Sequence, residues 1–168
     1  GLLATKKKKY LELIQRIYRD TSGLVMITKN RSTLKTLQDL LHEHKIQKTY
    51  AAIVKGQVSL DKQLIDAPLH RYELANGERR VRVSKEGKAS KTQWNVAERF
   101  MHASLVYASP LSGRTHQIRV HGLSIGHPLV GDDKYGHQTE YRGPAPRRLC
   151  LHAMRLEIPG YPVIEAPL

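Results

Sequence analysis

The stretch that decides the fold is GRTHQIRVHGLSIGHPLVGDDKYG, which occupies residues 113–136. Its first half has the residue types of a helix with both ends marked. Ser112 or Thr115 can cap the first turn, because a side-chain oxygen there accepts a hydrogen bond from a free backbone N–H group. Gly126 can end the helix, and Pro128 cannot continue it. We therefore predict a helix that begins close to residue 113 and ends at Gly126, followed by a polar loop.

Working outward from this helix, the hydrophobic pattern indicates a sheet with few helices. Residues 24–28 (LVMIT) are an uninterrupted apolar run, which predicts a buried strand. Ser32 can cap a helix in which leucines recur at helical spacing as far as Lys45. Further strands are predicted at 49–54, 79–83, 92–97 and 104–109. We expect the last three to form an antiparallel meander. The predicted fold class is α+β, with a mostly antiparallel mixed β-sheet and flanking helices.

The chain is strongly basic. It has 28 Lys and Arg residues against 15 Asp and Glu residues, a formal net charge of +13 and a pI near 10.0. This charge favours a polyanionic partner, with nucleic acid first and an acidic membrane surface second. One cysteine, Cys150, excludes an intramolecular disulfide and fits a reducing compartment. No apolar run approaches the roughly 18 residues that a membrane helix needs, so we expect a cytoplasmic protein that is not bound to a membrane.

Residues 113–121 (GRTHQIRVH) concentrate polar groups at the start of the predicted helix. A cation such as Arg114 is mildly unfavourable at a helix N-terminus, and a bound anion would remove that conflict. We favour a phosphate-binding role over the alternative that these groups only cap the helix and face water. His116, His121 and His127 could also form a metal site with Asp132 and Asp133. The five-residue step from His116 to His121 turns the two rings off a common helix face, so we predict no metal.

Two further segments carry groups suited to RNA. In KTYAAIV, Lys48 and Tyr50 share one strand face, so the phenol ring could stack on a base beside a cation. The alternative is a core tyrosine with a satisfied hydroxyl. In RRVRV, Arg80 and Arg82 share a face that suits a phosphate track, and a solvated edge hairpin is the alternative. The chain has no GxSxG, P-loop or GxGxxG motif, so we predict neither a serine triad nor a nucleotide cofactor.

Taken in order, these motifs resemble those of the RluA-type RNA pseudouridine synthases, and most closely the RluC-like enzymes of 23S rRNA. RIYRDTSG resembles the family's HRLDxxTSG, KTYAAIV its KxYxAxV and RLCLHA its RxxLHA. Residues 113–136 match the third family motif nearly throughout, and the resemblance covers almost the whole chain. It implies a pseudouridine-synthase catalytic fold with a central RNA-binding cleft. It also implies isomerisation of uridine to pseudouridine in RNA without cofactor or metal, on a base flipped out of its helix.

The resemblance implies roles for individual residues. Arg16 would help hold the flipped site open, and Tyr50 would pack against the uracil. Arg119 would pair with a catalytic aspartate and keep it ionised, since an adjacent cation lowers a carboxyl pKa. Leu151 would be an apolar wall. The residues expected to contact the RNA are Asp20, Lys48, Arg80, Arg82, Arg114, His116 and Gln117.

The family pattern is broken at the position of its nucleophile. When the motifs are aligned on TSG, the catalytic aspartate falls on Tyr18 and the preceding histidine falls on Gln15. A phenol has a pKa near 10 and cannot supply the carboxylate that Arg119 should pair with. We favour a synthase whose loop is altered here. The alternatives are a catalytically impaired RNA-binding relative, or substitution by Asp20, which is the least attractive because moving a nucleophile by about 1 Å is costly.

The resemblance also bears on domain organisation. We interpret residues 1–168 as a single pseudouridine synthase catalytic domain that acts as a monomer. The family commonly carries an upstream KPxG-type motif, often after an S4-like RNA-binding domain. Neither is found ahead of the first motif, so we expect the chain to lack its N-terminal segment.

Overall fold

The computed structural model describes residues 11–14 and 19–168, so Arg16 and Tyr18 lie outside the described residues. Its elements in chain order are β1 (Glu12–Leu13), β2 (Ser22–Gly23), β3 (Ile27–Thr28), α1 (Arg31–His42), β4 (Gln47–Lys55), β5 (Lys62–Asp66), β6 (Leu69–Glu73), β7 (Arg79–Val83), β8 (Lys91–Arg99), β9 (Ala103–Pro110), α2 (Gln117–Ser124), β10 (Leu151–Glu157) and β11 (Ile164–Glu165). Neither helix in this part of the chain is long and apolar enough to cross a membrane.

The centre of the fold is a mixed sheet in the strand order β11-β10-β4-β9-β8-β5. Neighbouring strands along this path are antiparallel, and β2 adds to β10 as a short parallel strand. The strands predicted at 49–54, 92–97 and 104–109 are confirmed as β4, β8 and β9. The α+β class with a mostly antiparallel mixed sheet is therefore confirmed.

Two hydrophobic clusters pack on the same face of this sheet. The first surrounds Trp94 and Val106 and includes residues of β4, β10 and α2. The second joins Leu37 of α1 to Ile46 and Leu156. Alternate residues of a strand share a face, which places Ile46, directly before β4, on the same side as the first cluster. The sheet face between the two clusters is the floor of the site described below.

The basic strand β7 is not part of the meander that its pattern predicted. It pairs with β6 instead, in a separate two-stranded ribbon that we call the basic hairpin, residues 69–83. Residues 75–77 make the tight turn between Leu74 and Glu78, with Gly77 at a φ of +84° that favours glycine. A local turn of this kind closes a hairpin before a more distant strand can pair. The predicted alternation holds only in part, because Val81 is buried and Arg82 exposed, but Val83, expected on the same face as Val81, is exposed as well.

Both helices begin where local hydrogen bonding dictates rather than at the predicted cap. The side chain of Asn30, two residues before Ser32, accepts a hydrogen bond from the backbone N–H of Thr33 and caps α1. Helix α2 begins at Gln117 instead of close to residue 113, and Ser112 and Thr115 do not cap it. Its end is as predicted, with Gly126 at positive φ directly after the last turn.

The apolar run 24–28 was wrongly predicted as one buried strand. Only Ile27–Thr28 is strand, and it pairs with Glu12–Leu13 in a short ribbon. Met26 and Thr28 are buried while Val25 and Ile27 are exposed, which is the alternation of a half-buried ribbon. The residues on the exposed face of this run are apolar as well, so composition alone could not distinguish a fully buried strand from a half-buried ribbon.

Candidate active site

A cleft of about 980 Å³ lies on the sheet face between the two hydrophobic clusters. Its floor is β4, one side is α1 with the 21–25 segment, and the other is the segment from the end of β9 into α2. The residues that line it include Lys48, Tyr50, Arg114, His116, Arg119 and Leu151. These positions are up to 103 residues apart in the sequence, so the fold gathers cations, an aromatic ring and an apolar wall in one place.

Strand β4 delivers Lys48 and Tyr50 to the floor of the cleft. Both point to the same face of the sheet, and Tyr50 packs against the core cluster around Trp94. Burial lowers the pKa of Lys48 from its ordinary value. Within the described part of the chain, the side chain of Lys48 has no hydrogen bond or ion pair. Its ammonium group therefore lies in the cleft without a protein partner. An anionic group of a ligand would suit this position.

The TSG segment is fastened to β10 at the edge of the cleft. Ser22 and Gly23 pair in parallel with His152 and Ala153, and the Ser22 hydroxyl lies 2.7 Å from Nδ1 of His152. His152 Nε2 lies 2.7 Å from the carbonyl oxygen of Ala166, which can only accept, so this nitrogen carries the proton and Ser22 donates to Nδ1. Gly23 has a φ of +103°, and a Cβ there would overlap the carbonyl of Ala153. The last residues of the RIYRDTSG loop therefore have a fixed position beside the cleft.

Arg119 enters the cleft from the first turn of α2 and is held by Asp132. Its Nε and Nη2 donate to the two carboxylate oxygens at 2.8 Å and 2.7 Å. The Asp132 side chain is 0% exposed and that of Arg119 is 13% exposed. Burial opposes the charged form of both groups, but the paired hydrogen bonds outweigh it, so the pKa of Asp132 is lowered and that of Arg119 is raised. Within residues 11–14 and 19–168, no hydrogen bond uses Nη1 of Arg119.

Asp20 lies close enough to Arg119 for its charge to raise the arginine pKa further. It has a φ of +73°, and its side chain is 59% exposed and 4.0 Å from the guanidinium of Arg19. Asp20 does not line the cleft itself, whereas its neighbour Thr21 does. The carboxylate at position 20 is thus at the rim of the site.

Tyr135 connects several of these groups from behind the cleft wall. Its ring centroid lies 5.1 Å from the carbon of the Arg119 guanidinium, and its hydroxyl lies 2.6 Å from His116 Nδ1. His116 precedes α2 in the left-handed region, at a φ of 52°. Burial lowers the pKa of His116 to about 4, and the charges of Arg119 and Lys134 act in the same direction. The imidazole is therefore uncharged at neutral pH.

Gln117 is a buried clamp that fixes the loop ahead of α2. Its Oε1 accepts from the Ser112 hydroxyl and from the Arg114 backbone N–H. Its Nε2 donates to the Lys91 carbonyl and to the Thr92 hydroxyl. All four hydrogen-bonding positions of the amide are used inside the protein. The Arg114 side chain is held separately, by donation to the Ala89 carbonyl at 3.2 Å and 3.3 Å.

The three histidines and Asp132, which suggested a metal site, have other partners, and Asp133 is exposed. His121 is wholly buried, with Nδ1 2.7 Å from the Thr92 hydroxyl and Nε2 2.9 Å from the Ala67 carbonyl. His127 contacts the Lys55 carbonyl through Nδ1, and Asp132 binds Arg119. Among the residues that the structure describes, no three His, Cys, Asp or Glu side chains are grouped as metal ligands would be.

A sequence model of the RNA pseudouridylate synthase family matches residues 2–124 of the chain. The match includes β4 and the first turns of α2, which supply Tyr50 and Arg119 to the cleft. The chain belongs to this family. The resemblance of its motifs to pseudouridine synthases is therefore confirmed.

Two curated relatives are similar to the chain along its whole length. The "Ribosomal large subunit pseudouridine synthase C" of Yersinia pestis is 46% identical over 177 residues, covering 100% of this chain and 55% of the relative. The protein of the same name from Escherichia coli K12 is 45% identical over 179 residues, covering 100% of this chain and 56% of the relative. The chain thus spans about half the length of the curated relatives that it matches.

Solved structures of pseudouridylate synthase domains have the same fold. Human RNA Pseudouridylate Synthase Domain Containing 1 superposes with a TM-score of 0.80 at 28% identity, covering 94% of this chain and 68% of that chain. Human RNA Pseudouridylate Synthase Domain Containing 4 superposes with a TM-score of 0.78 at 23% identity, covering 94% and 71% respectively. The second likeness concerns the fold alone. The predicted pseudouridine-synthase fold is confirmed.

The structure brings together most, but not all, of the residues that the sequence singled out. Seven of them line the cleft, with Thr21–Gly23 beside them: Lys48, Tyr50, Arg114, His116, Gln117, Arg119 and Leu151. Arg80 and Arg82 lie on the basic hairpin outside the cleft. The roles of all these residues stay predictions.

Three further residues of the site were not predicted from the sequence. Asp132 was considered only as a metal ligand, and Tyr135 and His152 were part of quoted motifs without a predicted role. Each acts by holding another residue, namely Arg119, His116 and Ser22. The one signal in the sequence was that GDDKYG places two carboxylates and a phenol in six residues after a basic helix.

Proposed function

We propose that this chain is the catalytic part of an enzyme that isomerises specific uridines to pseudouridine in 23S rRNA. The observation that carries the proposal is the convergence of Tyr50, Arg119 and the TSG segment on one cleft. The names of the relatives at 45–46% identity support ribosomal RNA as the substrate. The net charge of +13 supports a large polyanion.

In the proposed mode of binding, the target uridine leaves its helix and enters the cleft. Tyr50 packs against the uracil, and Leu151, which is buried beside it, supplies the apolar wall. Arg119 presents Nη1 to the reacting end of the nucleotide while Asp132 holds its other two nitrogens. Arg16 helps to hold the RNA open.

The surrounding cations track the RNA backbone. Lys48 has no protein partner in the described residues and is placed to meet an anionic oxygen. Arg114 and His116 contact the RNA at the end of the cleft next to α2, and Gln117 supports that end by fixing the loop. Asp20 contacts the RNA at the rim. Arg80 and Arg82 extend the basic surface along the hairpin, outside the cleft.

As the resemblance implies, the reaction uses neither a metal nor a cofactor. Isomerisation adds and removes no atoms or electrons overall, so no co-substrate is consumed. The chain acts as a monomer in the cytoplasm, where the ribosomal substrate of its bacterial relatives is made. The nucleophile is the open chemical question, since Tyr18 occupies the position of the family's aspartate.

The decisive experiment measures pseudouridine formation on a 23S rRNA fragment with labelled uridine. The protein is compared with Tyr18→Asp, and Tyr18→Asn serves as a matched control because it has the same shape without a nucleophilic carboxylate. Turnover by the unaltered chain supports the proposal directly. Turnover by Tyr18→Asp alone supports a synthase site whose nucleophile has been replaced. Tight RNA binding without pseudouridine in any variant would overturn the proposal and favour the catalytically impaired RNA-binding relative.

A further inference from the structure

We propose that Tyr135 is a positioning residue of this site, whose hydroxyl fixes His116 in a single tautomer and ties it to the basic hairpin. The inference rests on the proposed function only in assigning His116 and the hairpin to RNA. Tyr135 itself does not line the cleft and is only 8% exposed, so it acts through its neighbours.

The direction of each hydrogen bond at the Tyr135 hydroxyl follows from its partners. The backbone N–H of Val81 in β7 lies 3.2 Å from the oxygen and can only donate, so the oxygen accepts there. The single hydroxyl proton then points to Nδ1 of His116, 2.6 Å away. A ring nitrogen that accepts a hydrogen bond carries no hydrogen of its own. A neutral imidazole in this arrangement therefore has its hydrogen on Nε2.

The charge states of the two groups agree with that assignment. Burial raises the pKa of Tyr135 to about 12, which keeps its hydroxyl protonated. Burial also lowers the pKa of His116 to about 4, which keeps the ring neutral. A protonated phenol and a neutral imidazole are the pair that this hydrogen bond requires. His116 is thus held as a neutral ring with its hydrogen on Nε2 rather than as a cation.

The same tyrosine contacts the Arg119 anchor. Its backbone N–H donates to Asp132 Oδ1 at 3.1 Å, and its ring lies against the Arg119 guanidinium. Val81, at the other end of the link, packs with Tyr135 in a small buried cluster and is flanked by Arg80 and Arg82. One side chain therefore joins the arginine pair, the imidazole and the strand that carries the hairpin cations.

The test variant is Tyr135→Phe, which removes the hydroxyl and keeps the ring against Arg119. Tyr161→Phe is the matched control, because its ring is exposed near the C-terminus and away from the cleft. Two quantities are measured: the tautomer of His116, from the nitrogen chemical shifts of its ring at neutral pH, and the turnover and affinity for the 23S rRNA fragment. Circular dichroism melting verifies that both variants fold.

We expect the unaltered protein to hold His116 as the Nε2–H form and Tyr135→Phe to show a mixture of both tautomers. Turnover should fall about tenfold while RNA affinity stays within about twofold, since the lost group touches no RNA and orients one that does. A merely structural role would lower the melting temperature without changing the tautomer. An unchanged Nε2–H form in Tyr135→Phe, with or without lost turnover, overturns the inference. The nitrogen shifts require no turnover, so an inactive parent chain would contradict the proposed function alone.

Discussion

Arg119 and Asp132 form a two-point ion pair in which a fully buried carboxylate holds the one arginine of α2 that reaches the cleft. The carboxylate also accepts the backbone N–H groups of Lys134 and Tyr135, both at 3.1 Å. Four N–H donors thus converge on Asp132. The guanidinium is oriented before any substrate arrives, which is the condition for electrostatic preorganisation.

Replacing Asp132 should lower both the stability of the protein and its turnover. We expect Asp132→Ala to lower the free energy of unfolding by about 3–5 kcal/mol, because it leaves a largely buried arginine without its partner. Pseudouridine formation should fall at least about tenfold, since a guanidinium that is free to rotate no longer presents Nη1. Denaturant unfolding and the labelled-uridine assay measure the two effects. Asp133→Asn, at the exposed neighbouring position, is the control, and an equal loss there would contradict the role of Asp132.

The same pair predicts how stability depends on pH. The pKa of Asp132 is lowered from its ordinary value of 3.8, so its stabilising contribution is fully present above that pH. It is lost as the pH falls through the lower value of the folded state. Asp132→Asn should therefore differ most from the unaltered protein near neutral pH, and the two melting temperatures should converge in strong acid. If the two melting temperatures differed by the same amount at every pH, the charge of the carboxylate would not be what stabilises the pair.

Gly23 should tolerate no side chain. Gly23→Ala combines an unfavourable positive φ with overlap between the new methyl group and the Ala153 carbonyl. Gly160→Ala is a matched control, since its φ of +82° is also positive but no atom lies within 4 Å of the added carbon. We expect Gly160→Ala to cost about 1–2 kcal/mol of stability, and Gly23→Ala to cost more and abolish turnover. Equal effects of the two changes on turnover would mean that the β2–β10 pairing does not position the loop.

The sequence predicted those parts of the fold that depend on short-range pattern. Strands β4, β8 and β9 follow from short runs rich in apolar, aromatic and β-branched residues, and the end of α2 follows from Gly126. The start of α2 did not follow, because the amide of Gln117 binds Ser112 and the Arg114 backbone and holds them outside the helix. Helix propensities do not account for side-chain hydrogen bonds of this kind. The clamp exists only once Lys91 and Thr92 of β8 are in place to accept its other two hydrogen bonds.

In the candidate site, too, the residues with chemistry of their own could be predicted from the sequence, and those that depend on tertiary contacts could not. Tyr50 and Arg119 could be named from their motifs, since each carries chemistry in its own side chain. Asp132 and Tyr135 could not, because their roles are defined by partners 13 and 19 positions away. Polar residues that hold other polar residues have no periodic signature, and only the folded arrangement assigns them.

We expect Lys48 to destabilise the folded protein and to strengthen its binding to RNA. Its pKa is lowered by burial, so the folded state disfavours its charged form, and the protein gains stability as the pH rises through the folded-state pKa. We therefore expect Lys48→Met to raise the melting temperature at neutral pH while weakening RNA binding about tenfold. Lys62→Met, on the exposed edge strand β5, removes the same charge as a control. A lysine that serves only solubility would give the same result at both positions.

The basic hairpin should contribute to RNA affinity through charge alone. Arg82 lies over the Tyr72 ring at 5.0 Å, while Glu78 lies 3.4 Å from Arg80 and 3.5 Å from Lys134 and so partly neutralises this surface. If Arg82 neutralises one phosphate, Arg82→Gln should weaken binding and reduce the slope of log affinity against log salt by about 0.7–0.9. Glu78→Gln removes the opposing charge and should tighten binding, a gain that damage to the fold could not produce.

Arg142→Gln is the control for these hairpin variants, because Arg142 is highly exposed and already bound to Glu140 at 2.9 Å. Its change should leave the salt slope close to that of the unaltered protein. Fluorescence anisotropy with a labelled 23S rRNA fragment between about 50 and 200 mM salt gives each slope, and about six phosphate contacts in total would lower the affinity roughly a thousandfold over that range. Identical slopes for Arg82→Gln and Arg142→Gln, with no gain from Glu78→Gln, would remove the hairpin from the RNA-binding surface and confine recognition to the cleft.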